Sequence, residues 1–149
     1  MPGFNHLNSS LRFCVDSARD HCYGGRVFSQ RLTEPVEFSD IGMLALRLEE
    51  LFDQQNYPQA FQRSRVFLRS GSEMNIAAAD VDSGMSRESV KQASGAVATF
   101  EVVVISRRSS SWQGTVDWLD GAEPVEFASD LELLRLIDEH ISGKIDRME

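Results

Sequence analysis

Two cysteines, four prolines and three histidines are all that this 149-residue chain has of the residues that most often build staples, rigid turns and metal sites. Cys14 and Cys22 give a C-x7-C spacing with His21 adjacent, and no second close pair follows downstream. A zinc site needs three or four ligands, usually in close pairs, so no metal is expected. Two thiols in an intracellular setting stay reduced, and cytoplasmic localisation is the simplest expectation. Positive charge is also scarce, with 15 Lys and Arg against 23 Asp and Glu, for a net charge of −8. Such a chain lacks the attraction to phosphate on which non-specific nucleic-acid binding rests, and it suits an anionic membrane surface no better. No apolar run approaches the ~18 residues of a spanning helix, and Met1–His6 carries neither a basic nor an apolar leader pattern. Ser-His-Asp constellations and phosphate-binding glycine loops are missing too. No catalytic residue and no cofactor are therefore assigned.

What the chain does contain is one pentapeptide twice. Glu-Pro-Val-Glu-Phe occurs at 34–38 and again at 123–127, an offset of 89 residues. The same offset aligns Arg19 with Arg108, Tyr23 with Trp112, Gly25 with Gly114, Val27 with Val116, Leu44 with Leu133 and Glu50 with Glu139. Over 12–54 against 101–143 roughly 12 of 43 positions are identical, where chance gives about three, and such a register is the signature of an internal duplication.

Each copy reads as β-β-β-α. In the first, Leu11, Phe13 and Val15 alternate with Arg12, Cys14 and Asp16, the pattern of a half-buried strand, and Ser17–Asp20 reads as a turn. A second strand is predicted around 21–30, and a third begins at Val36 after Pro35. Ser39 or Asp40 caps a helix whose buried stripe is Ile41, Leu44, Ala45, Leu48, Leu51 and Phe52, with Arg47, Glu49, Glu50 and Asp53 outward. In the second copy Ala98, Phe100, Val102 and Val104 define a central strand, Arg107–Ser111 a polar hairpin loop, and Val125–Phe127 the third strand. Ser129 and Glu132 form a capping box, and Gly143 is placed as a C-cap. The domain reading is a loose tail at 1–10, repeat 1 at 11–54, a partly disordered linker at 55–95, repeat 2 at 96–143 and a short tail at 144–149. The linker holds a possible edge strand at Arg65–Leu68 and a short helix after Ser86. A unit of ~43 residues is too small to be stable alone. The expected fold class is thus α+β, a tandem duplication sharing one pseudo-two-fold antiparallel sheet with two amphipathic helices, and Phe38 and Phe127 equivalent and both buried.

Four residues stand out as a candidate ligand site: Arg19, Tyr23, Arg108 and Trp112. An arginine and an aromatic repeated in both copies could line a symmetric groove on the pseudo-two-fold axis, suited to an anion or a flat nucleotide-like ligand. The paired carboxylates Glu34/Glu123 and Glu37/Glu126 alternate with Val36 and Phe38, which places them on the solvent side. The segments Asp20–Phe28, Tyr57–Ala60, Ala98–Phe100 and, most specifically, Ser111–Trp118 resemble those of small hypothetical proteins from anaerobic Gram-positive bacteria. That resemblance implies a bacterial cytosolic origin and carries over no established activity and no catalytic residue. The functional expectation is a non-enzymatic protein-interaction or regulatory module whose partner is another protein; a small-ligand sensor on the axis is the alternative, and an enzyme comes third. Composition fixes no oligomeric state.

Overall fold

The structure is a computed structural model and describes residues 4–5, 8–58, 78–80, 83–108 and 111–148, with side chains as far as Lys144. Its elements run β1 (Leu11–Arg19), β2 (Cys22–Phe28), β3 (Val36–Phe38), α1 (Ile41–Gln55), α2 (Arg87–Gln92), β4 (Ala98–Ser106), β5 (Gln113–Asp117), β6 (Val125–Phe127) and α3 (Asp130–Met148). All the strands join one six-stranded antiparallel sheet in the order β3-β2-β1-β4-β5-β6. The fold is α+β, and the two three-stranded sets meet edge to edge through β1 and β4.

The registers repeat at a constant interval. Phe13 faces Val27 and Val15 faces Gly25; 89 positions later Val102 faces Val116 and Val104 faces Gly114. The ladder slips between Val15 and Ser17 and again between Val104 and Ser106. Gly25 opposite Phe38 becomes Gly114 opposite Phe127. At the centre Arg12 faces Glu101, Leu11 faces Val102 and Phe13 faces Phe100, so the pairing reads alike from either strand. Side chains alternate along a strand, and the set Leu11, Phe13, Val15, Val27, Phe100, Val102, Val104 and Val116 therefore shares one face. That face is buried under Leu44, Leu48, Leu51 and Phe52 of α1 and Leu133, Ile137 and Ile141 of α3, in a single cluster.

Local signals account for most element ends. The Asp40 side chain accepts from Gly42 N at the start of α1, and Asn56 closes that helix in the left-handed conformation. Ser86 caps α2, accepting from Ser89 N, where a short helix after Ser86 was expected. Ser129 Oγ accepts from Glu132 N at 3.0 Å, while the Glu132 carboxylate reaches back to Ala128 N at 2.7 Å rather than to Ser129 N.

Several expectations are corrected. β1 does not stop before Ser17; it continues over the slip to Arg19. The turn is Asp20-His21, both at positive φ (51° and 64°), the geometry that lets a two-residue hairpin follow the strand twist. Gly143 does not end α3, which runs on to Met148; an interior glycine costs about 1 kcal/mol, too little to stop a helix already anchored by Ile137 and Ile141. Cys14 is fully buried rather than solvent-facing, because residues 93–97 cross the second face of the sheet. Arg12 and Arg26 donate to Ala93 O and Ser94 O at 2.8 Å, and Ala96 N donates to Asp16. Burial pushes the Cys14 thiol up, partly offset by Arg26 and Arg12. Phe127 is buried but Phe38 only half so. Ile105, expected on a covered strand, is exposed. The tail is not wholly loose, since the Phe4 ring packs 6.3 Å from that of Tyr57. The predicted edge strand at Arg65–Leu68 and most of the predicted linker lie outside the described residues.

Glycine at 114 is required by contact. A Cβ there would sit 1.9 Å from the Val103 carbonyl oxygen, and at Gly25 2.0 Å from that of Cys14. Gly114→Ala is expected to destabilise the fold by about 1–3 kcal/mol. Phe127→Ala should cost about 3–5 kcal/mol and Phe38→Ala clearly less. Urea unfolding of the three variants, read as midpoint shifts, checks the ranking.

Candidate functional site

The polar side chains that the fold gathers lie at the two ends of the sheet. At one end the β1–β2 hairpin brings Tyr23 against α3. The buried Tyr23 hydroxyl donates to Asp138 Oδ1, and His21 Nδ1 lies 2.6 Å from the same oxygen. The Tyr23 hydroxyl, followed by His21, holds the Asp138 carboxyl below its ordinary range. Asp138 in turn raises His21, while burial, then the Asp138 contact, pushes Tyr23 up.

At the opposite end Trp112 Nε1 donates to Glu49 Oε1 of α1 at 2.5 Å. Trp112 stands 89 positions after Tyr23, and Asp138 stands 89 after Glu49. Each aromatic thus bonds a carboxylate on the helix of the other half. Arg107 reinforces the second end: although only 1% exposed, it donates through Nη1 to Glu49 at 2.7 Å and Asp53 at 2.8 Å, and through Nε to Pro58 O at 2.6 Å.

A second buried arginine lies beside it. Arg31, also 1% exposed, donates through Nε to Gln55 at 2.7 Å and through Nη2 to the Tyr57 carbonyl. Its guanidinium lies over the rings of Phe52, Phe4 and Tyr57, and that of Arg107 lies over the Phe52 ring at 5.7 Å. Burial lowers Arg31 to about 9, with Arg107 adding to the effect, so it remains charged at neutral pH. The two cations bind carbonyls just past the C-terminus of α1, where the helix dipole favours positive charge. A cleft of about 600 Å³ opens next to them, lined by Phe4, Gln54, Gln55, Asn56, Tyr57 and residues 78–80.

These positions answer the sequence reading residue by residue. Tyr23 and Trp112 are buried, while Arg19 and Arg108 are exposed. They do not line one groove: Arg19 and Tyr23 flank the first hairpin turn, Arg108 and Trp112 the other hairpin, and antiparallel β1 and β4 send those turns in opposite directions. Each turn lies roughly 20 Å from Arg12 at ~3.3 Å per residue. Arg107, read as part of a polar loop, is buried, and Glu49, Glu50 and Asp53 are not simply outward: two of them hold Arg107, and Glu50 is buried. Only the recurrence of a carboxylate at 49 and 138 could have flagged this pairing. Glu37 and Glu126 are exposed as expected. Cys14 is buried and Cys22 exposed, and among the described residues no three His, Cys, Asp or Glu side chains gather as metal ligands. No helix among the described residues is long and apolar enough to cross a membrane.

Comparison with protein-family models, curated proteins and solved structures finds no match for this chain.

The arrangement can hold helices on the sheet. Arg107→Met leaves two carboxylates without their cation and should cost about 3 kcal/mol, the low end for a broken buried pair because Glu49 and Asp53 keep some solvent. Trp112→Phe retains the ring and loses a bond to a charged acceptor, worth about 1.5–3 kcal/mol. Denaturant titration measures both, and Arg107→Lys should recover only part of the loss because a point charge cannot span the same acceptors.

Proposed function

We propose that the chain is a duplicated β-β-β-α scaffold that acts by binding another protein, as a non-enzymatic interaction or regulatory module of a bacterial cytosol. The duplication is supported by the pairing registers and the slips that recur 89 residues apart, and by the reciprocal Tyr23–Asp138 and Trp112–Glu49 bonds.

The observation that carries the binding reading is the filled centre. Where the halves meet, Phe13 stacks on Phe100 with ring centroids 5.1 Å apart, and Arg12 pairs with Glu101 at 2.8 Å. A small ligand on the axis would have to displace the ring stack on one face of the sheet or the ion pair on the other. The surface offers an alternative: Met43 and Leu46, one turn apart on α1, are 50% and 56% exposed. The positions 89 residues later on α3 are Glu132 and Arg135, as expected of a solvated face. Met43 and Leu46 thus form an exposed apolar pair at i, i+3 that a protein partner can cover, whereas α3 exposes Leu131.

The test is a photo-crosslinker placed at Leu46 in cells that express the chain. A discrete protein adduct, lost in Met43→Lys with the melting temperature unchanged, is the expected result. Absence of any adduct counts against the reading. A thermal-shift screen of nucleotides and metabolites tests the ligand alternative, since a ligand at 100 times its Kd adds about 2.7 kcal/mol.

A further inference from the structure

The two ends of the sheet are tied by different chemistry, and only one of the ties can titrate near neutral pH. At the β4–β5 end the cation is Arg107, fixed and buried, with Glu49 and Asp53 as its partners. Its counterpart 89 residues earlier is Ala18, so no buried arginine takes the corresponding place, and Arg19 at that turn is exposed. There the cation is His21, with a side chain 70% exposed, set at the tip of the hairpin and meeting Asp138 at 2.6 Å. We infer that the His21–Asp138 contact is a pH-operated clasp between the β1–β2 hairpin and α3, closed in acid and loosened in alkali, while the Arg107 end stays locked.

The geometry restricts what else can drive it. From the hairpin, Asp20 adds negative charge beside His21, and Arg19 and Cys22 flank the turn. From β2, the Tyr23 hydroxyl shares Asp138 Oδ1 and also bonds Ser142. From α3, Glu139 turns to Arg135 at 3.5 Å, and His140 is stacked flat on Trp118 at 3.9 Å. Asp138 is thus the carboxylate that His21 meets directly.

The sign follows from the two partners. His21 is raised, so the charged contact is complete below the ordinary histidine value of about 6.5 and is lost as pH rises through the raised value. Asp138 is lowered, so its share of the contact is complete above the ordinary carboxyl value of 3.8 and is lost as pH falls through the lowered value. Above the window the Tyr23–Asp138 bond remains and keeps α3 on the sheet, so release frees the hairpin tip without unfolding the domain.

Hydrogen exchange on the full chain tests this, with rates corrected for intrinsic pH dependence. Amides at 22–24 and 138–144 should lose up to about fivefold protection between about pH 5.5 and about pH 8, the range of an exposed ion pair. Amides around Trp112 and Glu49 should not change. His21→Gln should abolish the pH response, and His21→Lys, charged throughout, should abolish it while keeping the acid-state protection. Asp138→Asn should return the His21 imidazole resonance to an ordinary titration. A pH response that survives in His21→Gln, a wild-type chain with equal protection at both pH values, or a His21 titrating at or below the ordinary value would overturn the clasp.

Discussion

The pairing of β1 with β4 is the contact on which the remaining structure depends. Three strands and one helix bury too little apolar surface to offset the entropy of ordering them. Joined along this ladder, both helices cover one continuous sheet, and Leu44, Leu48, Leu133 and Ile137 enter one core. Phe13 on Phe100 supplies apolar contact on the helix side, and Arg12 with Glu101 fixes the register on the other. A slip of one residue would bring like faces out of phase and put Phe13 and Phe100 on opposite faces of the sheet.

The join is reinforced away from the centre by bonds that cross it. Tyr23 and Trp112 each project from one half's hairpin to a carboxylate on the other half's helix. Neither helix can lift from the sheet without breaking a contact made by the opposite set of strands. In a chain of net charge −8, two buried cations, Arg31 and Arg107, both lie over the ring of Phe52 near the end of α1. Among the described residues Arg31 meets the carbonyl of Tyr57, the amide of Gln55 and three aromatic rings rather than a carboxylate. That environment is why its pKa falls while its charge persists.

The two halves differ mainly in what covers them. Residues 93–97 strap the second face of the sheet, sealing Cys14 beneath backbone bonds to Arg12, Arg26 and Asp16. In the first half Leu32 is fully buried and Val36 lies in the core, whereas the corresponding positions are Gly121, with φ at +90°, and an exposed Val125.

The sequence by itself determined the strands, the helix stripes and the offset of 89, because side-chain period and capping residues act over a few neighbours and leave their mark in the order of residues. A helix cap at Ser39 or Asp40 and a short helix after Ser86 were legible in the chain. Tertiary structure alone decided which way the halves face each other. Antiparallel pairing of β1 with β4 sends the two hairpins to opposite ends, and so separates Arg19 and Tyr23 from Arg108 and Trp112. It also turned Arg107 from a loop residue into a buried cation and made partners of Glu49 and Trp112, 63 positions apart. No local pattern encodes such a contact, since it exists only once two distant segments share a desolvated space in which a charge left alone could not persist.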